Sequence, residues 1–409
     1  MNSPLRIHST IKVLFELGRR VFSKILCLVF LISILIISSC DNSERDCESL
    51  IGLTTIKETS NLDYGLSSLK IPVPDTILYK HFLFDVLAVN GDLNYVGYNN
   101  QSNRLELFDG NWFVSQSFDR EISAKVSALT YHSTDSIFIV TEMPQKLYLI
   151  NDLGEIINNW DVSKPFDSIT DEYFYLASDN NSKVKNIGDG KLLVSLTRFD
   201  LQTANYEKEP GFLAVYDINE SSWVGKPFGD MPDIYTKGEY PRDFSIPDVT
   251  IANDAIVVSF PLSSQVDFYD KNTFELTKSL CVKSKEVPLN NKIIKGDEIQ
   301  EEGNYLITEP FFSGLHFDSA LDVYYRFYFE EQPLLKLNGE LNEFRFRKAK
   351  LIKLDVDNST IVVYPFEHEN TIYFMSKFGS SKEGQILIAF SNDGGETTLH
   401  LSELNINEK

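Results

Sequence analysis

The chain has 409 residues, 43% hydrophobic and 24% charged, with 29 Phe and 19 Tyr. That apolar mass is enough for one large core or two average domains, and it excludes global disorder. With 38 basic against 59 acidic residues and a net charge of −21, the chain lacks the clustered positive footprint of a nucleic-acid binder.

In chain order, the first segment sets the compartment. Arg6, Lys12, Arg19, Arg20 and Lys24 stand against the single acid Glu16, and the apolar stretch Ile25 to Ile37 follows. This is a charged region leading into a short hydrophobic one, as in an export signal. At 13 residues the apolar stretch falls below the ~17 to 25 that a spanning helix needs. It ends in Ile37-Ser38-Ser39-Cys40, which resembles a bacterial lipobox. The resemblance implies that residues 1–39 are a lipoprotein signal peptide and that Cys40 is diacylated, becoming the first residue of the mature protein. An ordinary secretory signal is the other reading. Cleavage removes five bases and one acid, so the exported chain is more acidic still. Such a surface repels anionic headgroups, which makes acyl chains on Cys40 the membrane attachment rather than a basic patch.

Residues 40–50, with Asp41, Glu44, Asp46 and Glu48, read as an acidic, solvated tether, and residues 51–409 as the folded domain. Of four cysteines, Cys27 leaves with the signal and Cys40 is acylated. An oxidising compartment permits a disulfide between Cys47 and Cys281. However, Cys281 sits in the strand-like Leu280-Cys281-Val282, and two unpaired thiols are expected. No C-x-x-C or Cys/His cluster offers a zinc site.

Beyond residue 50 the apolar residues come in runs of four to seven, rich in Val, Ile, Tyr and Phe and punctuated by Asp, Asn and Gly. These are strands and turns. A first unit, a polar turn leading into a strand, recurs at Gly91–Val96, Thr134–Val140, Asp189–Val194, Asn253–Val258, Leu321–Tyr325 and Glu369–Phe374. A second, an alternating strand running into an acidic turn, recurs at Arg104–Asp109, Lys146–Asp152, Phe212–Asp217, Gln265–Asp270, Lys350–Asp355 and Ile386–Asn392. Asp and Asn suit such turns because their side chains bond the backbone ahead. Third strands follow, as at Trp112–Val114, Ile156–Trp160, Phe274–Leu276 and Thr398–Leu401.

Six copies predict an all-β fold, a six-bladed β-propeller of four-stranded antiparallel blades, with a β-sandwich as the competing architecture. The acidic turns are spaced by 43, 65, 53, 85 and 37 residues. The excess falls in Val162–Lys185, Gly225–Phe244 and Lys283–Phe311, which read as loops on the propeller faces. A strand at Leu53–Lys57 or Ile71–Lys80 is expected to close the last blade, leaving no free sheet edge.

The lipobox, the run Thr134–Ile139 leading into Lys146–Ile156, and the later Asp322-Val323-Tyr324-Tyr325-Arg326-Phe327 resemble the Bacteroidetes lipoproteins of the family DUF4221. More broadly, the chain is similar to six-bladed propellers of the TolB-like type. The resemblance implies a propeller in the cell envelope, lipid-anchored and at the outer membrane. It brings no reaction and no catalytic residues.

No G-x-S-x-G elbow, Walker loop, H-E-x-x-H or G-x-G-x-x-G occurs. His8, His81, His132, His316, His368 and His400 are scattered, and none is assigned as a ligand. Asp355-Val356-Asp357-Asn358 and Asp179-Asn180-Asn181 lack the rest of a calcium loop and read as solvated turns. Glu330 and Glu331, as neighbours on a strand, point to opposite faces and cannot share one acid–base site. No cofactor or metal is expected.

Ligand contact is assigned instead to Tyr324, Tyr325 and Arg326, where rings could stack and a planar guanidinium could fork onto a carboxylate. Tyr235, Tyr240 and Arg242, in the second long insertion, join them. The function expected is a lipid-anchored envelope module binding a protein, peptide or glycan. The rival is an envelope hydrolase or lyase with its site at the channel mouth.

Overall fold

In the computed structural model, the described residues lie between 51 and 406, with side chains described between 85 and 365. Residues 1–50, 59–63, 73–81, 163–173, 177–183, 199–210, 237–243, 290–303, 367–377, 381–385, 392–397 and 407–409, with shorter gaps, lie outside them. The lipobox, Cys47, Tyr240, Arg242 and the sixth copy of the first unit, Glu369–Phe374, therefore fall outside the described residues.

Five blades follow one another along the chain, each a meander of four antiparallel strands. Blade 1 is Phe82–Val89, Asp92–Asn99, Arg104–Phe108 and Phe113–Ser117. Blade 2 is Val126–Ser133, Ser136–Thr141, Lys146–Asn151 and Ile156–Asp161. Blade 3 is Val184–Gly188, Lys191–Arg198, Leu213–Asp217 and Ser222–Phe228. Blade 4 is Asp248–Ala252, Ala255–Ser259, Gln265–Asp270 and Leu276–Cys281. Blade 5 is Phe311–Asp318, Val323–Phe329, Ala349–Asp355 and Thr360–Phe366.

A further sheet, described in backbone only, is built from both ends of the chain: Phe378–Ser380, Ile386–Ser391, Thr398–Ile406 and then Tyr64–Pro72. The expectation of a six-bladed propeller is thus corrected to five blades, with this composite sheet as a further element. In it Ile386–Ser391 is the second strand and Thr398–Ile406 the third. The closing strand is Tyr64–Pro72, antiparallel to Thr398–Ile406, and neither expected window supplies it whole. Thr55–Lys57 of the window Leu53–Lys57 falls instead in an arm that adds parallel strands to finished blades. Ile51–Gly52 pairs with Leu280 and Cys281 of blade 4, and Thr55–Glu58 with Thr360–Val363 of blade 5. Both additions cap sheet edges that would otherwise present unpaired amides.

The runs of apolar residues arise because a blade is buried on both faces. In blade 2, Phe138, Val140, Leu147 and Trp160 pack against Val184, Leu192, Val194 and Tyr216 of blade 3. The alternate residues Ile137, Ile139, Tyr148 and Ile150 pack against Val96, Tyr98 and Leu105 of blade 1. Successive side chains point to opposite faces, so Ile137-Phe138-Ile139-Val140 serves both neighbours with no polar residue between. Across blades 4 and 5 the same division places Val257, Phe268 and Leu280 against Phe312, Tyr324 and Tyr328.

Three of the acidic turns, at Asp217, Asp270 and Asp355, form as expected. Asp217 Oδ1 accepts the Asn219 and Glu220 amides, Asp270 Oδ1 those of Asn272 and Thr273, and Asp355 Oδ1 that of Asn358. The amides of Thr273 and Asn272 hold the Asp270 carboxyl below the usual carboxylate range. At the turn closing blade 2, Gly154 has φ +78° and a Cβ there would lie 2.7 Å from the Ser117 carbonyl oxygen of blade 1, so glycine lets the two blades touch. Cys281 is disulfide-bonded, against the expectation of a free thiol; its partner lies outside the described residues.

Candidate functional site at the long-loop face

Antiparallel strands alternate direction, so within each blade the turn between strands one and two and the turn between strands three and four share one end. The connections between strands two and three, and from one blade to the next, share the other. In these blades the first end carries only short turns: residues 90–91, 134–135, 189–190, 253–254 and 319–322, then 109–112, 152–155, 218–221, 271–275 and 356–359. Every long connection leaves from the opposite end: 162–183, 199–212, 229–247, 282–310 and 330–348. The expected loops on the faces are therefore loops on a single face.

Each of the first four long segments carries two more acids than bases, whereas 330–348 is balanced, with four of each. A face of that charge disfavours polyanions.

Of the residues assigned to ligand contact from sequence, Tyr235, Tyr324, Tyr325 and Arg326 are buried. Arg326 lies in the second strand of blade 5, fully buried. Its Nη2 donates to the carbonyls of Phe260 and Ser263 in blade 4, at 2.5 and 3.2 Å, and its guanidinium lies 3.8 Å from the centre of the Phe312 ring. Burial lowers its pKa to about 9, with Asp248 opposing the shift, so it stays a cation near neutrality. Tyr324 and Tyr325 are buried on opposite faces of that strand, Tyr324 edge-on to Phe268 at 5.5 Å. Arg326 and Tyr324 thus serve the contact of blade 5 with blade 4, and Tyr325 is buried on the other face of the strand.

Tyr235 has the same character. It lies in a short 3₁₀ turn, Asp233–Thr236, and its hydroxyl donates to the Phe244 carbonyl at 2.6 Å and accepts the Leu262 amide at 3.0 Å. It ties the loop 229–247 to blade 4. Tyr235→Phe is expected to cost ~2 kcal/mol, because a buried amide and carbonyl lose their partner. A midpoint shift in urea unfolding of the full chain measures this; an unchanged midpoint contradicts it.

Sequence reasoning missed the charged residues that hold the loop face and the inner strands. Arg347, buried beside Phe311 at 5.0 Å, donates to the Glu309 and Glu330 carbonyls and so joins the segments 282–310 and 330–348. Desolvation lowers its pKa to about 10. Glu330 itself pairs with Lys350 at 2.9 Å and Glu331 is exposed, in line with the expectation that the two acids do not share a site.

Between inner strands, Asp85 Oδ2 accepts Thr130 Oγ1 and the Tyr131 amide, each at 2.9 Å, and Asp248 Oδ2 accepts the Gly314 amide at 2.8 Å. Each carboxylate stitches one blade to the next. His316, on the first strand of blade 5, is pushed down to about 3 by burial and then by the Lys185 charge, so it is neutral at physiological pH. Among the described residues no group of three His, Cys, Asp or Glu side chains could hold a metal ion.

These sheets and turns define an all-β propeller of four-stranded antiparallel blades with one loop-bearing face. The chain belongs to the family whose description reads "Domain of unknown function (DUF4221)", which matches residues 120–339. A crystal structure of a DUF4221 member from Bacteroides vulgatus superposes with a TM-score of 0.64 at 16% identity, covering 86% of this chain and 99% of that one. A protein of Bacteroides fragilis, named as a presumed exported protein, gives a TM-score of 0.49 at 12% identity over 88% of this chain and 100% of its own. Virginiamycin B lyase from Staphylococcus aureus gives 0.39 at 11% identity over 83% of this chain and 100% of its own. No curated protein matches the chain.

Proposed function

We propose that this protein is a lipid-anchored cell-envelope propeller that binds a protein, peptide or glycan through its long-loop face. The observation that carries this reading is the asymmetry of the connections: all five long segments leave from one end of the blades. Loops on a rigid scaffold are where binding surfaces are built. The anchor is Cys40, and the outer membrane is the site, read from the leader and the lipobox. Among the described residues no helix is long and apolar enough to cross a membrane.

The test is capture from envelope extract by the full acylated chain, followed by mass spectrometry. Two charge reversals on the loop face, Asp230→Lys with Glu331→Lys, are compared with Glu220→Lys on the short-turn face. A partner or glycan retained by the wild type and by Glu220→Lys, but lost with the loop-face pair, supports the reading. Retention by all three, or loss with Glu220→Lys alone, contradicts it.

A further inference from the structure

The segment 330–348 differs from the other long connections in charge, and it also carries a group of exposed leucines. Residues 333–342 form a small hairpin. The Asn342 amide donates to the Leu334 carbonyl at 2.7 Å, Lys336 to Glu340 at 2.7 Å, and Gly339 to Lys336 at 2.9 Å. Asn342 Nδ2 adds a bond to the Pro333 carbonyl at 2.6 Å. Leu335 and Leu341 are directly paired across it, so their side chains leave on the same side. Both are more than half exposed, at 51% and 59%, and Leu337 near the tip is entirely exposed at 111%. At the turn, Gly339 has φ +84° and nothing stands within 4 Å of where its Cβ would be.

A backbone-bonded hairpin thus holds three leucines in solvent on the long-loop side, whereas other exposed large apolar residues among those described, such as Leu153, Leu276 and Leu321, lie in or next to the short turns at the opposite end. Leucines left outside a core in this way mark a surface that meets another apolar phase.

We infer that this hairpin, the part of the long-loop face without net charge, dips into the lipid bilayer to which the chain is anchored. The inference rests on the anchored reading above and deepens it, since a partner bound at that face would then be membrane-resident. Two features favour lipid over a soluble partner. The first is charge: the other four long segments are each net acidic, while 330–348 is neutral and meets no repulsion from anionic headgroups. The second is reach. From Cys40 to Ile51, where the described chain begins, eleven residue steps extend at most about 40 Å, so an acylated chain keeps the propeller next to the bilayer. Held that close, a weak insertion of three leucines is favoured by its high local concentration.

The test uses the full chain purified from membranes and returned to vesicles of phosphatidylethanolamine and phosphatidylglycerol, with or without brominated acyl chains. Tryptophan is placed at the hairpin by Leu337→Trp and, in a second variant, Leu341→Trp. Leu153→Trp, on the short-turn face, is the control. The two hairpin variants are expected to lose at least half of the added tryptophan's emission in brominated vesicles, and the control less than a tenth. Equal quenching of hairpin and control, or none at the hairpin, overturns the inference. Intact mass measured on the same preparation reports acylation separately. A mass lacking acyl chains removes the anchor, while quenching on mixing with vesicles still decides the hairpin.

Discussion

Replacing Arg326 by alanine is expected to destabilise the protein by about 3–5 kcal/mol, the cost typical of emptying a packed buried site and stranding hydrogen-bonded groups. The guanidinium donates to two carbonyls of blade 4 and covers the face of Phe312, so its removal leaves a cavity and takes a donor from the Ser263 carbonyl, while the Phe260 carbonyl keeps only the Ser263 amide. Arg326→Met refills most of the volume but supplies no donor. It is expected to cost about half as much, because unpaired buried carbonyls carry a penalty of ~1–3 kcal/mol. Urea unfolding of both variants gives the comparison. If Arg326 instead contacted ligand, both variants would keep wild-type stability and lose binding.

The second large effect depends on pH. Glu106, in the third strand of blade 1, is fully buried, and Asn99 Nδ2 donates to its Oε1 at 3.3 Å. Burial raises its pKa from 4.5 to about 7, against the opposing pull of the Asn99 bond and then the Arg104 charge. A carboxyl raised on folding holds its proton more tightly in the folded state. Its contribution is complete below pH 4.5 and is lost as pH rises to about 7. At ~1.4 kcal/mol per pH unit, the loss above pH 7 amounts to about 3 kcal/mol.

Glu106→Gln keeps the acceptor that Asn99 uses and cannot ionise. The variant is expected to match the wild type at pH 4.5 and to exceed it by up to about 3 kcal/mol at pH 8. Unfolding midpoints at the two pH values measure this, and an equal difference at both contradicts it.

The second and third strands of the first five copies were legible because burial on both faces writes unbroken apolar runs, and the turns between strands write Asp and Asn. Lys146–Asn151 and Gln265–Asp270 coincide with the expected strands almost residue for residue. The composite sheet was not legible, because its closing strand Tyr-Gly-Leu-Ser-Ser-Leu-Lys-Ile-Pro is half polar and pairs with residues more than 300 positions away.

The site was less legible for the same reason. Arg326, read as a ligand contact, finds its carbonyls 66 and 63 residues distant, and Asp248 finds its amide 66 residues away. Nothing local distinguishes a strand arginine that pins the next blade from one that faces a ligand. That the long loops share a face, by contrast, follows from strand alternation once the strands are paired. The loop lengths were visible from sequence, but not which end of a blade each left from.

The central claim is that binding occurs at the long-loop face. Hydroxyl-radical footprinting of the full anchored chain, with and without its captured partner, tests it most directly. Protection concentrated in 229–247, 282–310 and 330–348 is the predicted result. Protection concentrated in the short turns 152–155, 218–221 and 271–275, with the long loops unchanged, would contradict it.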